Sequence, residues 1–365
     1  MVYGRMKILF ITSTRIGDAV LSTGLLRYLH GLYPHAAITV AAGALTVPLL
    51  DNLPGVVRVW PMVKGKRAYH WRQLHKAMRA TKWDLVVDLR SSAIAYVLRA
   101  KKRVIYRDPK TMVHRVRQLA DLFQVSALPF QNYAPTLSPT AAQQQHAAQL
   151  LGRTMDAPQR PVLAVAPTAN WICKTWHPER FVALIAQLTA ENGPLPHAHV
   201  AIFGSPNERA LADKVTQQLP PAQVLDLVGV PDLMTTAACL GGADMFVGND
   251  SGLMHMAAAM GTPTLGLFGP SEDRHYAPWG WRVGWVRTDE TLATIYPPGF
   301  DHRNHGVTLM DSLTVARAYD GAVRLWAQVG GGHGMLPDDH PCHPQNVWQG
   351  GLSAGYHPVN AAVPL

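Results

Sequence analysis

Short unbroken apolar runs recur along the chain, and each is followed by a polar turn and then by apolar residues at helical spacing. Lys7 to Ser13 (KILFITS) is the first such run. It predicts a central parallel strand, because a strand buried on both faces reads as continuous apolar sequence rather than as an alternation. After the turn Thr14–Asp18, apolar residues recur at helical spacing from Ala19 to Leu32, up to Pro34. Ile38–Ala42, Val56–Trp60 and Asp84–Leu89 predict further strands. A Gln-rich helical piece, Ala141–Leu151, and a linker over Gly152–Pro161 follow. A second series then opens at Pro161–Pro167 (PVLAVAP), with an amphipathic helix over Pro178–Glu191 and strands at Val200–Phe203 and Val224–Val228. Strands alternating with helices in two series predict two doubly wound parallel sheets, and a cleft between two such halves is a common ligand site. After Trp326 the pattern fails. Gly330–Gly332 and repeated Pro and His predict a disordered tail.

The stretch Gly241–Gly280 has the densest punctuation. Met245–Val247 predicts a strand, Gly248–Gly252 a turn, the residues through Met260 a helix ended by Gly261, and Thr264–Phe268 another strand. The turn Asn249-Asp250-Ser251-Gly252 therefore lies beyond the carboxyl end of a strand and at a helix N-terminus, where free N–H groups favour an anion, typically phosphate. Asp250 and Ser251 are equally ordinary N-caps. The first turn, Arg15-Ile16-Gly17-Asp18, lacks the G-x-G-x-x-G of a dinucleotide-binding dehydrogenase. It leaves Asp18 at the mouth of a strand, as a general base or as the N-cap of the next helix. In the loop Thr168–Trp176, Lys174 is a candidate to neutralise a diphosphate, or else a solvated loop lysine.

At 365 residues and 48% hydrophobic, the chain is long enough for two ordinary domains. Cys173, Cys239 and Cys342 are few, odd in number and widely spaced, which suits a reducing compartment and argues against a disulfide or zinc framework. The N-terminal apolar run is too short for a signal peptide and none is long enough to span a bilayer, so a cytosolic protein is expected. A net charge of +9 asks for an acidic partner: nucleic acid, an anionic membrane or a phosphorylated substrate. Two basic tracts, Lys64–Lys82 and Arg99–Arg117, concentrate that charge in the first half, where solvated helix faces are the simplest structure for them. No nucleic-acid module accompanies them. His333, His340, Cys342 and His343 match no structural zinc spacing.

Three pieces together, KILFITSTRIGDAVLSTGLLRYL, Lys174-x-Trp176 with Phe181, and VGNDSGLMHMAAAMGTPTLGLFGPS, resemble the heptosyltransferases of glycosyltransferase family 9, over roughly residues 6–326. That family builds the inner core of lipopolysaccharide from ADP-heptose. The resemblance implies a GT-B fold, two Rossmann-like doubly wound domains facing across a cleft. Residues 1–155 would form the acceptor-binding domain. Residues 156–328 would form the nucleotide-sugar domain, its last helix (Ser312–Gln328) packing back on the first, and 329–365 the tail. It implies inverting transfer without a metal or other cofactor, in keeping with the lack of a D-x-D. Asp18 would be the base. Lys174, Thr175 and the N–H groups of Ser251 and Gly252 would meet the diphosphate, and Asp250 the donor sugar's hydroxyls. His255, on the same helix face, would touch the diphosphate or simply pack. Arg15, Lys101, Lys102 and Arg103 are the acceptor-side candidates. The partners implied are a nucleotide-sugar donor and an anionic glycolipid acceptor reached peripherally at the inner face of the cytoplasmic membrane, with no nucleic acid. The alternatives on the same residues are a sugar-nucleotide 2-epimerase, which needs donor alone, and a non-catalytic basic binding protein, against which the joint presence of Asp18, Lys174 and Asp250 argues.

Overall fold

A computed structural model describes residues 5–153, 160–296, 298–301 and 306–330. Part of the predicted linker and the predicted tail from residue 331 on, with its His and Cys residues, lie outside the described residues. The chain divides into two compact units between Ser138 and Pro139.

In the first unit the order is β1 (Lys7–Ile11), α1 (Ile16–Leu32), β2 (Ala37–Gly43), α2 (Val47–Asp51), β3 (Val56–Met62), α3 (Tyr69–Met78), β4 (Trp83–Asp88), α4 (Ile94–Val97), β5 (Ala100–Ile105) and α5 (Arg115–Asp121). The strands pair in parallel in the order β3-β2-β1-β4-β5, so all their carboxyl ends share one edge. β1 is central, as its continuous apolar run predicts. Leu9 and Ile11 join Leu74 and Met78 of α3 in one core, which leaves Ile8 and Phe10, equally buried, for the opposite face. On α1, Gly24 has a packing reason: a Cβ there would meet the Tyr133 carbonyl oxygen at 1.9 Å. The neighbouring Thr23 Oγ1 accepts from the Thr136 N–H at 2.9 Å, so α1 is tied to a segment far along the chain.

The second basic tract is a helix face only at its end, where Arg115 and Arg117 lie on α5. Lys101, Lys102 and Arg103 lie on β5, the edge strand, where charge on the open side is a usual protection against further pairing. Lys101 pairs with Asp84 at 2.8 Å. Arg103 donates to the carbonyls of Ala95 and Leu98 at 2.7 Å each and ties α4 to the sheet.

The second unit runs α6 (Ala141–Leu150), β6 (Val162–Ala166), α7 (Pro178–Thr189), β7 (His199–Ile202), α8 (Arg209–Thr216), β8 (Val224–Asp226), α9 (Leu233–Gly241), β9 (Met245–Asn249), α10 (Gly252–Ala259), β10 (Thr264–Phe268), α11 (Asp273–Tyr276), β11 (Val283–Arg287), α12 (Leu292–Ile295) and α13 (Val315–Gln328). The parallel sheet is ordered β11-β10-β9-β6-β7-β8. Counted from its first strand this is 3-2-1-4-5-6, the doubly wound dinucleotide-fold order, and the first unit repeats its 3-2-1-4-5 part. Leu163, Val165, Met245, Val247, Leu265 and Leu267 share a core with α7 and with Ala318, Ala322 and Leu325 of α13. The buried face of α13 is thus taken up by β10, β11 and α7 of its own unit.

Candidate functional site

In an open parallel sheet a ligand crevice forms where the strand order reverses, beyond the carboxyl ends. The reversal lies between β1 and β4 in the first unit and between β6 and β9 in the second. The loops leaving those four strands carry most of the chemistry marked in the sequence.

In the second unit, the loop after β6 and the turn after β9 meet. Lys174 Nζ and Asp250 Oδ2 form an ion pair that is nearly closed to water. Lys174 also lies 5.0 Å from the centre of the Trp171 ring. The loop is held by Trp176 and Phe181, packed edge-on with centroids 5.1 Å apart and both wholly buried. The Trp176 N–H donates to Asn249 Oδ1 at 3.1 Å and its indole N–H to the Leu313 carbonyl at 2.8 Å. The lysine and the aromatic pair are therefore one device: the rings anchor the loop that presents the amine. Asn249 was read only as a turn residue. It is fully buried at the end of β9, and its amide is the clamp on that loop.

The turn itself is shorter than the sequence suggested. β9 continues through Gly248 and Asn249, and only Asp250 and Ser251 separate it from α10. Gly248 is there for close approach rather than for turning: a Cβ would lie 2.9 Å from the Ala166 carbonyl oxygen of β6. Ser251 is the N-cap residue, yet its side chain makes no capping bond, and its Oγ is shielded from solvent without a partner. Gly252 starts α10, so the first N–H groups of that helix are not satisfied by a side-chain cap. His255 is buried one turn on. Thr175 is buried, and its hydroxyl donates to the Trp171 carbonyl at 3.4 Å, within its own loop.

In the first unit, Asp18 is the third residue of α1 rather than its N-cap, a position held by the exposed Arg15. Asp18 is half-buried and accepts from Ser13 Oγ at 3.2 Å. Its other oxygen has no hydrogen bond among the described residues. Lys101, Lys102 and Arg103 leave from the outer strand β5, and Arg103 is committed to main-chain carbonyls, so the structure does not group them with Asp18. Among the described residues no group of three or more His, Cys, Asp or Glu side chains is placed to hold a metal ion. Cys173 and Cys239 are buried free thiols. Burial raises both pKa values, that of Cys239 to about 12.

Residues 88–294, which span Lys174, Asp250 and His255, match the family model described as glycosyltransferase family 9 (heptosyltransferase). The chain belongs to glycosyltransferase family 9. This family 9 enzyme is 27% identical over 305 residues to lipooligosaccharide heptosyltransferase 2 of Haemophilus influenzae, covering 75% of this chain and 86% of the relative. Its fold is similar to that of a family 9 glycosyltransferase from Veillonella parvula (TM-score 0.71, 17% identity, 90% and 99% of the two chains). It is also similar to that of the Escherichia coli ADP-heptose lps heptosyltransferase II (TM-score 0.70, 23% identity, 89% and 99%). The two doubly wound units are those of a GT-B glycosyltransferase, and the enzyme is of the heptosyl-transferring kind.

Proposed function

We propose that this family 9 enzyme moves a heptose from an ADP-activated donor to a lipopolysaccharide-core or related glycolipid acceptor, with inversion and without a metal. The observation that carries the donor half is the Lys174–Asp250 pair beside the uncapped start of α10, at the strand-order reversal of the second sheet. A diphosphate is dianionic or more, and that corner offers an amine and free main-chain N–H groups. Asp250 repels phosphate and instead accepts from the donor sugar's hydroxyls. The names of the relatives, lipooligosaccharide and ADP-heptose lps heptosyltransferases, support the same donor and acceptor class.

The acceptor half rests on Asp18. Its uncommitted carboxylate oxygen takes the proton of the acceptor hydroxyl while that oxygen bonds to the anomeric carbon. The bond from that carbon to the phosphate breaks, and ADP leaves with the electron pair. One displacement with one base inverts the centre. Asp18→Asn lowers turnover by about two to four powers of ten with ADP affinity unchanged. NMR of the product gives the opposite anomeric configuration to the donor, and activity persists in a chelator. Near-wild-type turnover of Asp18→Asn, or a retained configuration, would rule the mechanism out.

The same reading places the enzyme peripherally on the inner face of the cytoplasmic membrane. No described helix is long and apolar enough to cross one. Support comes from the loops at the carboxyl edge of the first sheet, which expose Leu45, Val63, Tyr69 and Met112 and also carry Lys64, Lys66, Arg67, Arg107 and Lys110. Apolar side chains interleaved with cations suit an anionic lipid surface.

A further inference from the structure

We infer that Arg90 and His70 form an anion-binding subsite at the carboxyl edge of the first sheet, which takes a phosphate or carboxylate group of the acceptor. The inference rests on the assignment of the first unit to the acceptor.

Arg90 leaves the end of β4, across the strand-order reversal from Asp18. The two loops start side by side: the Leu89 N–H donates to the Ile11 carbonyl at 2.9 Å. The nearest carboxylate in sequence, Asp88, is fully buried and spent on the loop. Its Oδ1 accepts from the Arg90 N–H at 2.8 Å, and its Oδ2 accepts from the Ser92 N–H and hydroxyl at 2.7 and 2.6 Å. The Arg90 guanidinium lies instead over Trp71, 5.6 Å from the ring centre, and the His70 ring sits 5.1 Å from the same indole. Arg90 Nη1 and His70 Nδ1 are each shielded from solvent without a hydrogen-bond partner. Arg90, His70 and Lys64 take part in none of the ion pairs among the described residues.

Two basic side chains thus meet at one indole with no ion-pair partner, and each has a donor left over. The local electrostatics agree: burial and the charges of Arg90 and Lys64 hold the His70 imidazole below its usual pKa of 6.5. The main chain adds to the field. His70 and Trp71 lie in the first turn of α3, which has no side-chain cap and no acidic residue there. Arg67 and Ala68, just before it, both adopt left-handed φ angles of 51° and 56°, a strained conformation for residues with a Cβ. Both Arg90 and His70 keep part of their side chains open to solvent. A planar guanidinium and an imidazolium N–H suit two oxygens of one phosphate or carboxylate. Such a group on the acceptor would fix its orientation relative to Asp18.

The test uses the full chain with labelled histidine, the His70 resonance being assigned by its loss in His70→Gln. Titration with inorganic phosphate, and separately with acetate, moves the His70 midpoint upward in the wild type, whereas Arg90→Gln abolishes the response. With transfer assayed on a core glycolipid before and after phosphatase treatment, Arg90→Gln raises the KM for the phosphorylated acceptor roughly tenfold or more. It leaves kcat, and the KM for the dephosphorylated acceptor, nearly unchanged, and Arg90→Lys restores part of the loss. A His70 signal indifferent to both anions overturns the subsite. A phosphate response combined with identical acceptor kinetics in Arg90→Gln assigns it to free phosphate and overturns its role toward the acceptor. An anion response without any heptosyl transfer would keep the subsite and refute the proposed function instead.

Discussion

Lys174 and Asp250 illustrate how a buried pair couples two roles that the sequence presents separately. Each is almost closed to water, at 13% and 8% side-chain exposure, so each is tolerated because the other is there. Lys174→Met leaves a lone buried carboxylate and is expected to cost about 3–5 kcal/mol in urea unfolding. Lys174→Met combined with Asp250→Asn removes both charges and recovers most of that stability, yet does not recover ADP binding by calorimetry. A double variant as unstable as the single one would refute the coupling. For the same reason Asp250→Ala is a poor probe of sugar contact, because it also frees the lysine. Asp250→Asn keeps the shape, and is expected to weaken ADP-heptose more than ADP.

Among the elements, α9 shows what a capping carboxylate does. Asp232 accepts from the Met234 and Thr235 N–H groups at 2.9 and 3.0 Å, and from the Thr235 hydroxyl. Burial pushes its pKa up, but the Thr235 and Met234 bonds outweigh this and hold it below the ordinary aspartate value of 3.8. A carboxylate whose folded pKa is depressed stabilises above its unfolded value and loses that contribution as pH falls through the folded one. Asp232→Ala is therefore expected to cost about 1 kcal/mol at pH 7, and less as the pH drops below about 3.8. A cost that does not change over that range would show that the cap is not the cause. The edge strand β5 behaves differently. Lys101 is 79% exposed, so its pair with Asp84 contributes little, whereas Arg103 holds three main-chain carbonyls of α4 and its flanks. Charge reversal across Lys101–Arg103 would disturb α4 as well as surface charge.

At the scale of the whole molecule, the net charge of +9 and the exposed apolar side chains on the carboxyl edge of the first sheet make one testable surface. Sedimentation with anionic vesicles is expected to show reversible binding that weakens with salt. Lys66→Glu with Arg67→Glu removes about 1 kcal/mol per charge and most of the salt dependence. Leu45→Ser with Val63→Ser lowers affinity by roughly two powers of ten or more at any salt, since burying such a side chain is worth about 1.5–3 kcal/mol. Apolar variants that bind like the wild type would leave charge alone as the attraction.

The inner strands of both sheets and their alternation with helices were legible in the sequence, because a strand buried on two faces must be continuously apolar and a turn must carry its own polar and glycine punctuation, whereas the edge strands β5 and β11 were not read. The positions of Asp18, Lys174 and the Asp250–Gly252 turn were legible for the same local reason: they lie just after such strands. Other features depend on residues far apart in the chain. β5 was hidden because an edge strand wears charge on its open side, which reads as a solvated helix face. Gly248 looked like punctuation and Gly24 carried no signal within its helix, but both are small because the Ala166 and Tyr133 backbones pass within reach of a Cβ. Pairing of Lys174 with Asp250, the Asn249 clamp on Trp176, and the meeting of Arg90 with Trp71 beside His70 exist only once the strands are ordered. Sequence patterning records what each residue needs from solvent. The strand order decides which residues meet, because a crossover connection places loops from distant segments side by side at one edge of a sheet.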